Sequence, residues 1–409
     1  MVQRKLRIGV AGLGRAFSLM LPTLVLDERI EIVAGADPRA EARERFEQDF
    51  AGRAYERVED MCADPRVEVV YISTPHQYHV ENVAAAAAEG RHILCEKPMA
   101  LNVADCATMI TAAQNAGVAL VVGHSHSFDG PVRRAREIVE SGAYGDVRMM
   151  SGMDYTDFLF RPRRPEELDT SKGGGVIFNQ APHQVDNVRF IGGGLVKSVR
   201  AVTGAWDASR RTEGAYTALL TFESGAAASI TYSGYAHFDS DELVEWIAES
   251  GLPKNPDAYG AARRALDGVA GEDEHALKWQ VNYGGPRYGG FDPVKAKPAA
   301  ERYHQNFGLL VVSCDSADLR PTSKGVMIYD DRERRLDPVP VPPVPRREVI
   351  DELYAAVVHG LPPVHDGRWG LATMEVCFAI LQSAREGREV MLSHQIPTPN
   401  LTGRAQVSA

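Results

Sequence analysis

The stretch Leu6–Asp37 constrains the fold of this chain more than any other. An apolar run, Leu6–Ala11, leads into the glycine turn Gly12–Gly14, and a second apolar run, Ile30–Ala36, ends in Asp37. The order of strand, glycine turn, helix, strand and acid is typical of a dinucleotide-binding site. Glycines let the backbone approach a pyrophosphate, the helix N-terminus offers it unpaired N–H groups, and the acid can hold the hydroxyl pair of a ribose. We therefore expect the chain to bind a dinucleotide here.

Some positions in and after this stretch qualify the expectation. The third glycine of the fingerprint would fall at Phe17, which changes how closely helix and strand can pack. Pro22 lies inside the predicted helix, so we expect that helix to begin late or to bend. Asp37 favours NAD because its charge would repel a 2′-phosphate, whereas Arg39 and Arg43 leave NADP as the alternative.

The composition excludes several classes of partner. The chain has 409 residues, of which 45 are basic and 55 acidic, and it contains no long basic run, so we expect neither nucleic acid nor anionic membrane as a partner. The N-terminal residues lack the apolar core of a signal peptide, and no stretch approaches the roughly 20 apolar residues that cross a bilayer. Five cysteines without CxxC spacing indicate reduced thiols. We expect a cytoplasmic protein.

The alternation of apolar and helical runs continues to about Gly123. The runs Val67–Ser73, His92–Cys95 and Ala119–Gly123 predict buried parallel strands, and residues 1–125 therefore predict a doubly wound α/β Rossmann domain. Ligands of such sheets lie beyond the carboxyl ends of the strands. The residues at those ends are Gly12, Gly14, Asp37, Thr74, Pro75, His76, Glu96, Lys97, Pro98, His124, Ser125 and His126.

The texture changes over residues 126–409. β-rich runs between Val147 and Tyr235 predict an α+β domain with a large, mostly antiparallel open sheet, which would bind substrate and form subunit contacts. Residues 239–306 are charged and rich in glycine, and they predict an insertion that roofs a site or contacts another subunit; an excursion without function is the alternative. C-terminal helices follow. Because the open sheet face needs cover, we expect a homo-oligomer, a dimer or a tetramer.

Three further motifs accompany the glycine turn. They are TPHQYH at Thr74–His79, CEKP at Cys95–Pro98 and GGGVIFNQAPHQVD at Gly173–Asp186. Together with the GLG turn they resemble the glucose-fructose oxidoreductase, inositol dehydrogenase and rhizopine-catabolism (Gfo/Idh/MocA) family. The resemblance runs from Leu6 to about Asp186, and the C-terminal half fits the sheet domain of that family more loosely. It implies an NAD(P)-dependent dehydrogenase.

The resemblance also implies where the chemistry takes place. Hydride transfer from an alcohol carbon to nicotinamide requires a base poised near neutral pH and a cation that steadies the developing oxyanion. Lys97 would serve one of these roles near the nicotinamide, and His183 is the other candidate base. Asn179 stands where the family often has an acid. An amide can orient a hydroxyl but cannot remove its proton, so that step is left to His183 or Lys97.

The predicted site contains two sets of binding residues, and His79 is predicted as either structural or on the cofactor side. The cofactor-binding set is Gly12, Gly14, Arg15, Ala16, Phe17, Asp37, Arg39, Thr74, Pro75, His76, His79, Glu96 and Lys97. The substrate set is His124, His126, Tyr155, Arg161, Arg163, Arg164, Asn179 and His183. No metal site is expected from His76, His124 and His126, because no acidic or thiol partner accompanies them at ligand spacing.

The substrate is expected to be an anionic small molecule. Arg161, Arg163 and Arg164 lie close together in the sequence. Arginine guanidinium groups bind carboxylates through paired hydrogen bonds, so a dicarboxylate is the first candidate. A loop of solvated charges is the alternative. The segments GLGRAFSLMLP, GHSHSFDGP and NFGLLVVSCDSADLRP resemble the branch of the family that oxidises phthalate cis-dihydrodiols to dihydroxyphthalates in aromatic catabolism. Two alternatives remain. One is a sugar or inositol dehydrogenase, and the other is a regulator that senses NAD without catalysis.

Overall fold

A computed structural model describes residues 4–269, 271–288, 290 and 302–401, and in it the chain divides into two compact units. The first unit comprises Met1–His124, Ala270–Lys297 and Pro342–Leu371. The second unit comprises Ser125–Val269, Pro298–Val341 and Ala372–Ala409. Two late segments therefore belong to the unit that contains the N-terminal part of the chain.

The helices and strands alternate early in the chain and separate into longer β-rich stretches later. The strands are β1 (Leu6–Ala11), β2 (Ile30–Ala36), β3 (Arg53–Tyr55), β4 (Val69–Ile72), β5 (His92–Cys95), β6 (Leu120–Val122), β7 (Val147–Tyr155), β8 (Val196–Gly204), β9 (Ala215–Phe222), β10 (Ala227–Ser233), β11 (Leu309–Cys314), β12 (Ala317–Thr322), β13 (Gly325–Asp330), β14 (Arg334–Pro338) and β15 (Val390–Met391). The helices are α1 (Arg15–Leu26), α2 (Ala40–Asp49), α3 (Val58–Cys62), α4 (His79–Ala88), α5 (Val103–Ala116), α6 (Gly130–Glu140), α7 (Gly175–Asn179), α8 (Ala181–Gly192), α9 (Ala261–Leu266), α10 (Gly271–Gln280), α11 (Arg347–His359) and α12 (Gly367–Glu386).

The first unit is built on a parallel sheet with the order β3-β2-β1-β4-β5-β6. This order confirms the prediction of a doubly wound Rossmann fold. Its strands are apolar runs because both faces are covered: every residue of β4 is buried. The carboxyl ends of β1, β2, β4 and β5 consequently lie along one edge of the sheet, where the predicted cofactor residues follow them.

Helix α1 begins directly after Gly14, so the expectation of a late start is wrong. Pro22 lies within the helix, where its ring removes one backbone donor. Phe17 occupies the place of the third fingerprint glycine and is fully buried. Its ring packs edge-on against Tyr283 at 5.0 Å and lies 6.5 Å from Phe50, measured between ring centroids. Tyr283, in a late segment of the same unit, therefore packs against the larger side chain that stands in place of the glycine.

The second unit is built on a sheet with the order β14-β13-β12-β11-β7-β10-β9-β8-β15. Its neighbouring strands are antiparallel except for β7 and β10, which run parallel, so the prediction of a mostly antiparallel sheet is confirmed. Helix α8 packs on one face, where Gln184 accepts a 2.7 Å hydrogen bond from the Tyr216 hydroxyl and donates one of 3.1 Å to the Thr231 carbonyl. These bonds hold the first turns of α8, including His183, on the sheet.

The predicted insertion at residues 239–306 is divided between the two units. Helix α9 belongs to the second unit, whereas α10 and the turn that follows it belong to the first. Residues 291–301 of this region lie outside the described residues. In the described part of the chain, no helix combines the length and apolar character that a membrane span requires.

Candidate active site

The glycine turn after β1 has the geometry that a pyrophosphate site requires. Gly12 has a φ of +88°, and a Cβ atom at this position would lie 2.8 Å from the Thr74 nitrogen and 2.9 Å from the Ser73 oxygen, so glycine is required here. Gly14 precedes α1, and among the described residues nothing lies within 4 Å of the place where its Cβ would be. The first turn of α1, which contains Arg15, Ala16 and Phe17, thus presents its N–H groups beside a clear approach.

Asp37 follows β2 and is already engaged by neighbouring donors. Within the described residues its carboxylate accepts four hydrogen bonds: 2.9 Å from the Leu13 N–H, and 3.0, 2.7 and 2.8 Å from the backbone, Nε and Nη2 of Arg39. Nη2 of Arg39 also donates to the Leu13 carbonyl at 2.9 Å. A carboxylate offers about four acceptor sites, so a ribose hydroxyl has to displace one of these four bonds. Arg43 donates instead to the carbonyls of Asp37 and Pro38.

His79 links two of the loops at the edge of the parallel sheet. It is fully buried, with Nδ1 3.0 Å from the Pro98 carbonyl oxygen and Nε2 3.1 Å from the Thr74 carbonyl oxygen. Burial lowers the pKa of its imidazole. The sequence left open whether His79 is structural or lies on the cofactor side, and these contacts favour the structural role. His76 lies on the preceding turn, its ring 5.8 Å from that of His79.

Glu96 and Lys97 follow β5. The Glu96 carboxylate is buried and accepts a 2.6 Å hydrogen bond from the Tyr71 hydroxyl, and burial raises the pKa of that carboxyl. Lys97 is half-buried, and its charge acts on Glu96 to lower the same pKa. The arrangement places an ammonium at the carboxyl end of the strand with a carboxyl group behind it. The remaining predicted residue of this unit, His124, is buried just beyond the end of β6.

A cluster of ring side chains forms the core of the candidate site in the second unit. His183 lies in the first turn of α8, and its ring centroid is 4.7 Å from that of His126 and 4.9 Å from that of Phe307. Both histidines are buried. His126 Nδ1 lies 2.6 Å from Asp129 Oδ2, and Nε2 lies 3.7 Å from Glu249 Oε1. Burial lowers the pKa of His126, but the two carboxylates outweigh it and raise that pKa to about 9.

The argument that no acidic partner accompanies the histidines is therefore wrong. Asp129 is three residues away from His126, and Glu249 is brought beside it by the fold. Nitrogen or oxygen atoms of His126, His183 and Glu249 lie within 4.8 Å of one another. Those of His124, His126 and Asp129 do so as well. The raised pKa of His126 favours the protonated ring, and a protonated ring nitrogen has no lone pair for a metal ion.

Sequence reasoning missed Asp154, which lies on β7 and is buried. Its Oδ1 accepts a 2.7 Å hydrogen bond from the Ser240 hydroxyl. Burial raises its pKa to about 7, and the charges of Asp241 and Glu249 add to that effect, while Arg161 acts against it. A carboxyl that titrates near neutral pH is a candidate acid or base. No motif marks this residue, because its pKa depends on burial and on residues distant in sequence.

The three arginines of the substrate set differ in their surroundings. Arg163 is buried, donates a 2.6 Å hydrogen bond to the Phe158 carbonyl and lies 3.6 Å above the Phe158 ring. Arg164 pairs with Glu167 at 3.4 Å. Arg161 pairs with Asp157 at 3.2 Å and is exposed. All three therefore have local contacts, and Arg161 differs from the others in being exposed and in acting by its charge on Asp154.

Asn179 and Tyr155 complete the predicted set. Asn179 donates hydrogen bonds of 2.8 and 3.3 Å to the Gly175 and Gly173 carbonyls, so its amide nitrogen fixes the glycine turn before α7. Tyr155 ends β7, with its ring 6.1 Å from Phe238. The structure thus brings His126 and His183 together, and it gives Asn179 a local structural contact.

Comparison with known proteins assigns both units to one protein family. A family model described as "Oxidoreductase family, NAD-binding Rossmann fold" matches residues 6–124, and one described as "GFO/IDH/MocA C-terminal domain" matches residues 132–251. This chain belongs to the GFO/IDH/MocA family. It is an oxidoreductase of the dehydrogenase type that uses NAD, and the glycine turn, the start of α1 and Asp37 are the residues that fit this cofactor.

Several members of the GFO/IDH/MocA family resemble the chain over most of its length. The 1-carboxy-3-chloro-3,4-dihydroxycyclohexa-1,5-diene dehydrogenase of Comamonas testosteroni is 46% identical over 93% of this chain and 95% of its own. The myo-inositol 2-dehydrogenase of Thermotoga maritima is 30% identical over 60% of this chain and 74% of its own. A crystal structure of a Bordetella bronchiseptica RB50 protein, 43% identical, matches with a TM-score of 0.87 over 95% of this chain and 100% of that one.

Proposed function

We propose that this enzyme oxidises a carboxylated cis-dihydrodiol of a cyclohexadiene to the aromatic diol, with phthalate cis-dihydrodiol as the first candidate. The observation that carries the proposal is the 46% identity, over 93% of the chain, to a dehydrogenase named for a carboxylated dihydroxycyclohexadiene. The exposed Arg161 supports an anionic substrate. The buried rings of Phe307 and Tyr232, stacked at 6.0 Å, supply an apolar wall beside His183.

The proposed oxidation requires the cofactor as hydride acceptor and one base as proton acceptor. NAD, when bound, would accept the electron pair of one carbinol C–H bond as a hydride, while the hydroxyl on that carbon would lose its proton to a base. The ketone then tautomerises to the aromatic diol, and the overall products are the diol, NADH and one proton. Aromatic stabilisation drives the sequence, so the protein mainly has to align the ring hydrogen and accept the proton.

Lys97 and His183 divide the remaining roles. The Lys97 ammonium would steady the oxygen on which negative charge develops, and a neutral His183 would accept the proton; the reverse assignment is the alternative. His126 lies beside His183 and is paired with Asp129 at 2.6 Å, so it adds no net positive charge to the site. Because Asp129 and Glu249 raise the pKa of His126 and so favour its protonated ring, we propose that no metal ion takes part. A chelator such as EDTA should leave turnover unchanged, and activity restored by added Zn²⁺ or Fe²⁺ after chelation would contradict this.

A substrate panel tests the proposed function. NADH formation is followed with phthalate cis-dihydrodiol, a monocarboxylated dihydrodiol, an uncarboxylated dihydrodiol, inositols and aldoses. We expect kcat/KM to be highest for the carboxylated dihydrodiols and to fall by about tenfold or more without a carboxylate, since charge-assisted hydrogen bonds contribute on the order of 2 kcal/mol. Turnover of inositols or aldoses alone would refute the proposal.

A sugar or inositol dehydrogenase is the second candidate. It is favoured by the 30% identity to the Thermotoga maritima myo-inositol 2-dehydrogenase. Recognition of several hydroxyl groups requires polar partners, and hydroxyl binding should then depend on Asn179. The contacts of Asn179 with two backbone carbonyls argue for a structural role instead.

We also propose a cytoplasmic homo-oligomer, a dimer or a tetramer. Among the described residues, which include all five cysteines, no disulfide forms, as a reducing compartment requires. The open sheet face carries the exposed apolar side chains of Met149, Val202 and Leu219, which an interface would cover. A monomeric mass by light scattering at micromolar concentration would refute the oligomer.

A further inference from the structure

Arg39 can act on the cofactor in two opposite ways. In Rossmann folds an acid after the second strand favours NAD, and a nearby arginine accommodates the 2′-phosphate of NADP. This chain has both residue types, Asp37 and Arg39, two positions apart. The direction in which the Arg39 guanidinium points therefore decides which effect dominates.

The guanidinium is held on the carboxylate by contacts on two sides. Nε and Nη2 of Arg39 donate to the two Asp37 oxygens at 2.7 and 2.8 Å, and Nη2 also donates to the Leu13 carbonyl at 2.9 Å. The indole ring of Trp279 stacks on the same guanidinium, with Cζ 4.2 Å from the ring centroid. Such a cation–π contact stabilises the guanidinium in its position over the ring.

Trp279 is a fixed part of the nucleotide-binding unit. It lies near the end of α10, and the turn after that helix is anchored on α1 and α2. Tyr283 in that turn is buried, donates a 2.9 Å hydrogen bond to Asp49 and packs on Phe17 at 5.0 Å. Gly284 approaches the backbone so closely that a Cβ would lie 2.9 Å from the Ala42 Cα.

We propose that Trp279 is a specificity-determining residue for the cofactor and acts through Arg39. Its indole ring keeps the guanidinium on Asp37 and withholds it from a 2′-phosphate, which strengthens the preference for NAD over NADP. The segment that carries Trp279 is thus a functional part of the cofactor site. The inference concerns cofactor recognition and does not depend on the identity of the substrate.

Calorimetric titration with NAD and with NADP, without substrate, tests the proposal. The quantity compared is the ratio of the two dissociation constants, Kd(NADP)/Kd(NAD). In Trp279→Ala we expect this ratio to fall by about 3- to 10-fold, the size of a cation–π contact. In Arg39→Ala we expect the ratio to rise, on the order of tenfold, because the Asp37 charge is then uncompensated.

The double variant Trp279→Ala/Arg39→Ala separates the proposal from a purely structural role. If Trp279 acts through Arg39, its removal should not change the ratio once Arg39 is absent. The same fall of the ratio in both backgrounds, or an unchanged ratio in Trp279→Ala alone, would overturn the proposal. Trp279→Leu keeps apolar bulk without a π face and should behave like Trp279→Ala, which covers the case in which the alanine variant unfolds. Tyr354→Leu is the matched control, since Tyr354 contacts a different arginine of the same unit, with Arg29 Cζ 5.3 Å from its ring centroid, and should leave the ratio unchanged.

Discussion

The cofactor edge of the first unit and the histidine cluster of the second are assembled in opposite ways. Gly12, Gly14 and Asp37 lie within one continuous strand–turn–helix–strand stretch. The cluster around His126 and His183 instead draws Glu249 and Phe307 from distant segments. A site built from local geometry leaves a motif in the sequence, whereas a site built from long-range packing leaves separate residues. The two should therefore respond differently to substitution, and the predictions below test that difference.

The largest effect is expected at the residues that carry the chemistry. Lys97→Ala and His183→Ala should each lower kcat by about 10²- to 10⁴-fold, the usual contribution of a positioned acid or base. The dissociation constant for NAD should change little. Steady-state kinetics and calorimetry measure the two quantities separately. A regulator that senses NAD without catalysis predicts instead that both variants leave every cellular phenotype intact.

Gly12 and Gly14 should separate folding from binding within the cofactor edge. Gly12→Ala forces a Cβ to within 2.8 Å of the Thr74 nitrogen at a positive φ, so the melting temperature should fall and NAD binding should be lost. Gly14→Ala adds a methyl where nothing lies within 4 Å among the described residues, so thermal stability should be kept while NAD binding weakens about tenfold or more. Equal losses of stability in both variants would show that the turn has no specific role for the nucleotide.

The buried groups of the second unit should make stability depend on pH. Asp154 has a folded pKa of about 7 against 3.8, and His126 has one of about 9 against 6.5. Both groups bind protons more tightly in the folded state. The free energy of unfolding should therefore fall as pH rises, between about pH 4 and 7 for Asp154 and between about pH 6.5 and 9 for His126. Each contribution should be on the order of 2 to 4 kcal/mol.

Two variants test which group causes the loss of stability in each pH range. Asp154→Asn should remove the decline below pH 7, and Asp129→Asn should reduce the decline above pH 6.5, because His126 then loses its 2.6 Å partner and keeps only Glu249. Urea unfolding at several pH values measures both effects. A wild-type curve that stays level from pH 5 to 9 would contradict the raised pKa values. Activity profiles of Asp154→Asn would show in addition whether this carboxyl takes part in proton transfer.

The smallest effect is expected at the arginines. Arg161→Ala should raise KM for a carboxylated dihydrodiol by about tenfold with kcat nearly unchanged, as the loss of one charge-assisted contact predicts. Arg164→Ala is the control, since Arg164, which is paired with Glu167 at 3.4 Å, is less exposed than Arg161 and should change KM less than about twofold. A larger effect at Arg164 than at Arg161 would reverse the assignment of the substrate-binding arginine.

Much of the fold could be predicted from the sequence because its elements have distinct periodicities. The parallel strands are continuous apolar runs, and the observed β4 (Val69–Ile72) lies within the predicted run Val67–Ser73. The start of α1 was misjudged because Pro22 was weighed as a helix breaker, whereas the helix accommodates it in its second half. The placement of α10 in the first unit was not foreseen, since no local pattern encodes packing against α1 and α2.

The sequence by itself determined the family, the use of NAD and the order of strand, glycine turn, helix and acid. It could do so because the positive φ at Gly12 and the carboxylate after β2 each depend on the identity of one residue. Only the tertiary structure decided which neighbours contact the residues of the two sites. It placed Trp279 over Arg39, brought Glu249 to His126 and buried Asp154 beside Ser240. Charge, orientation and pKa at these positions depend on neighbours that are distant in sequence, so packing had to supply them.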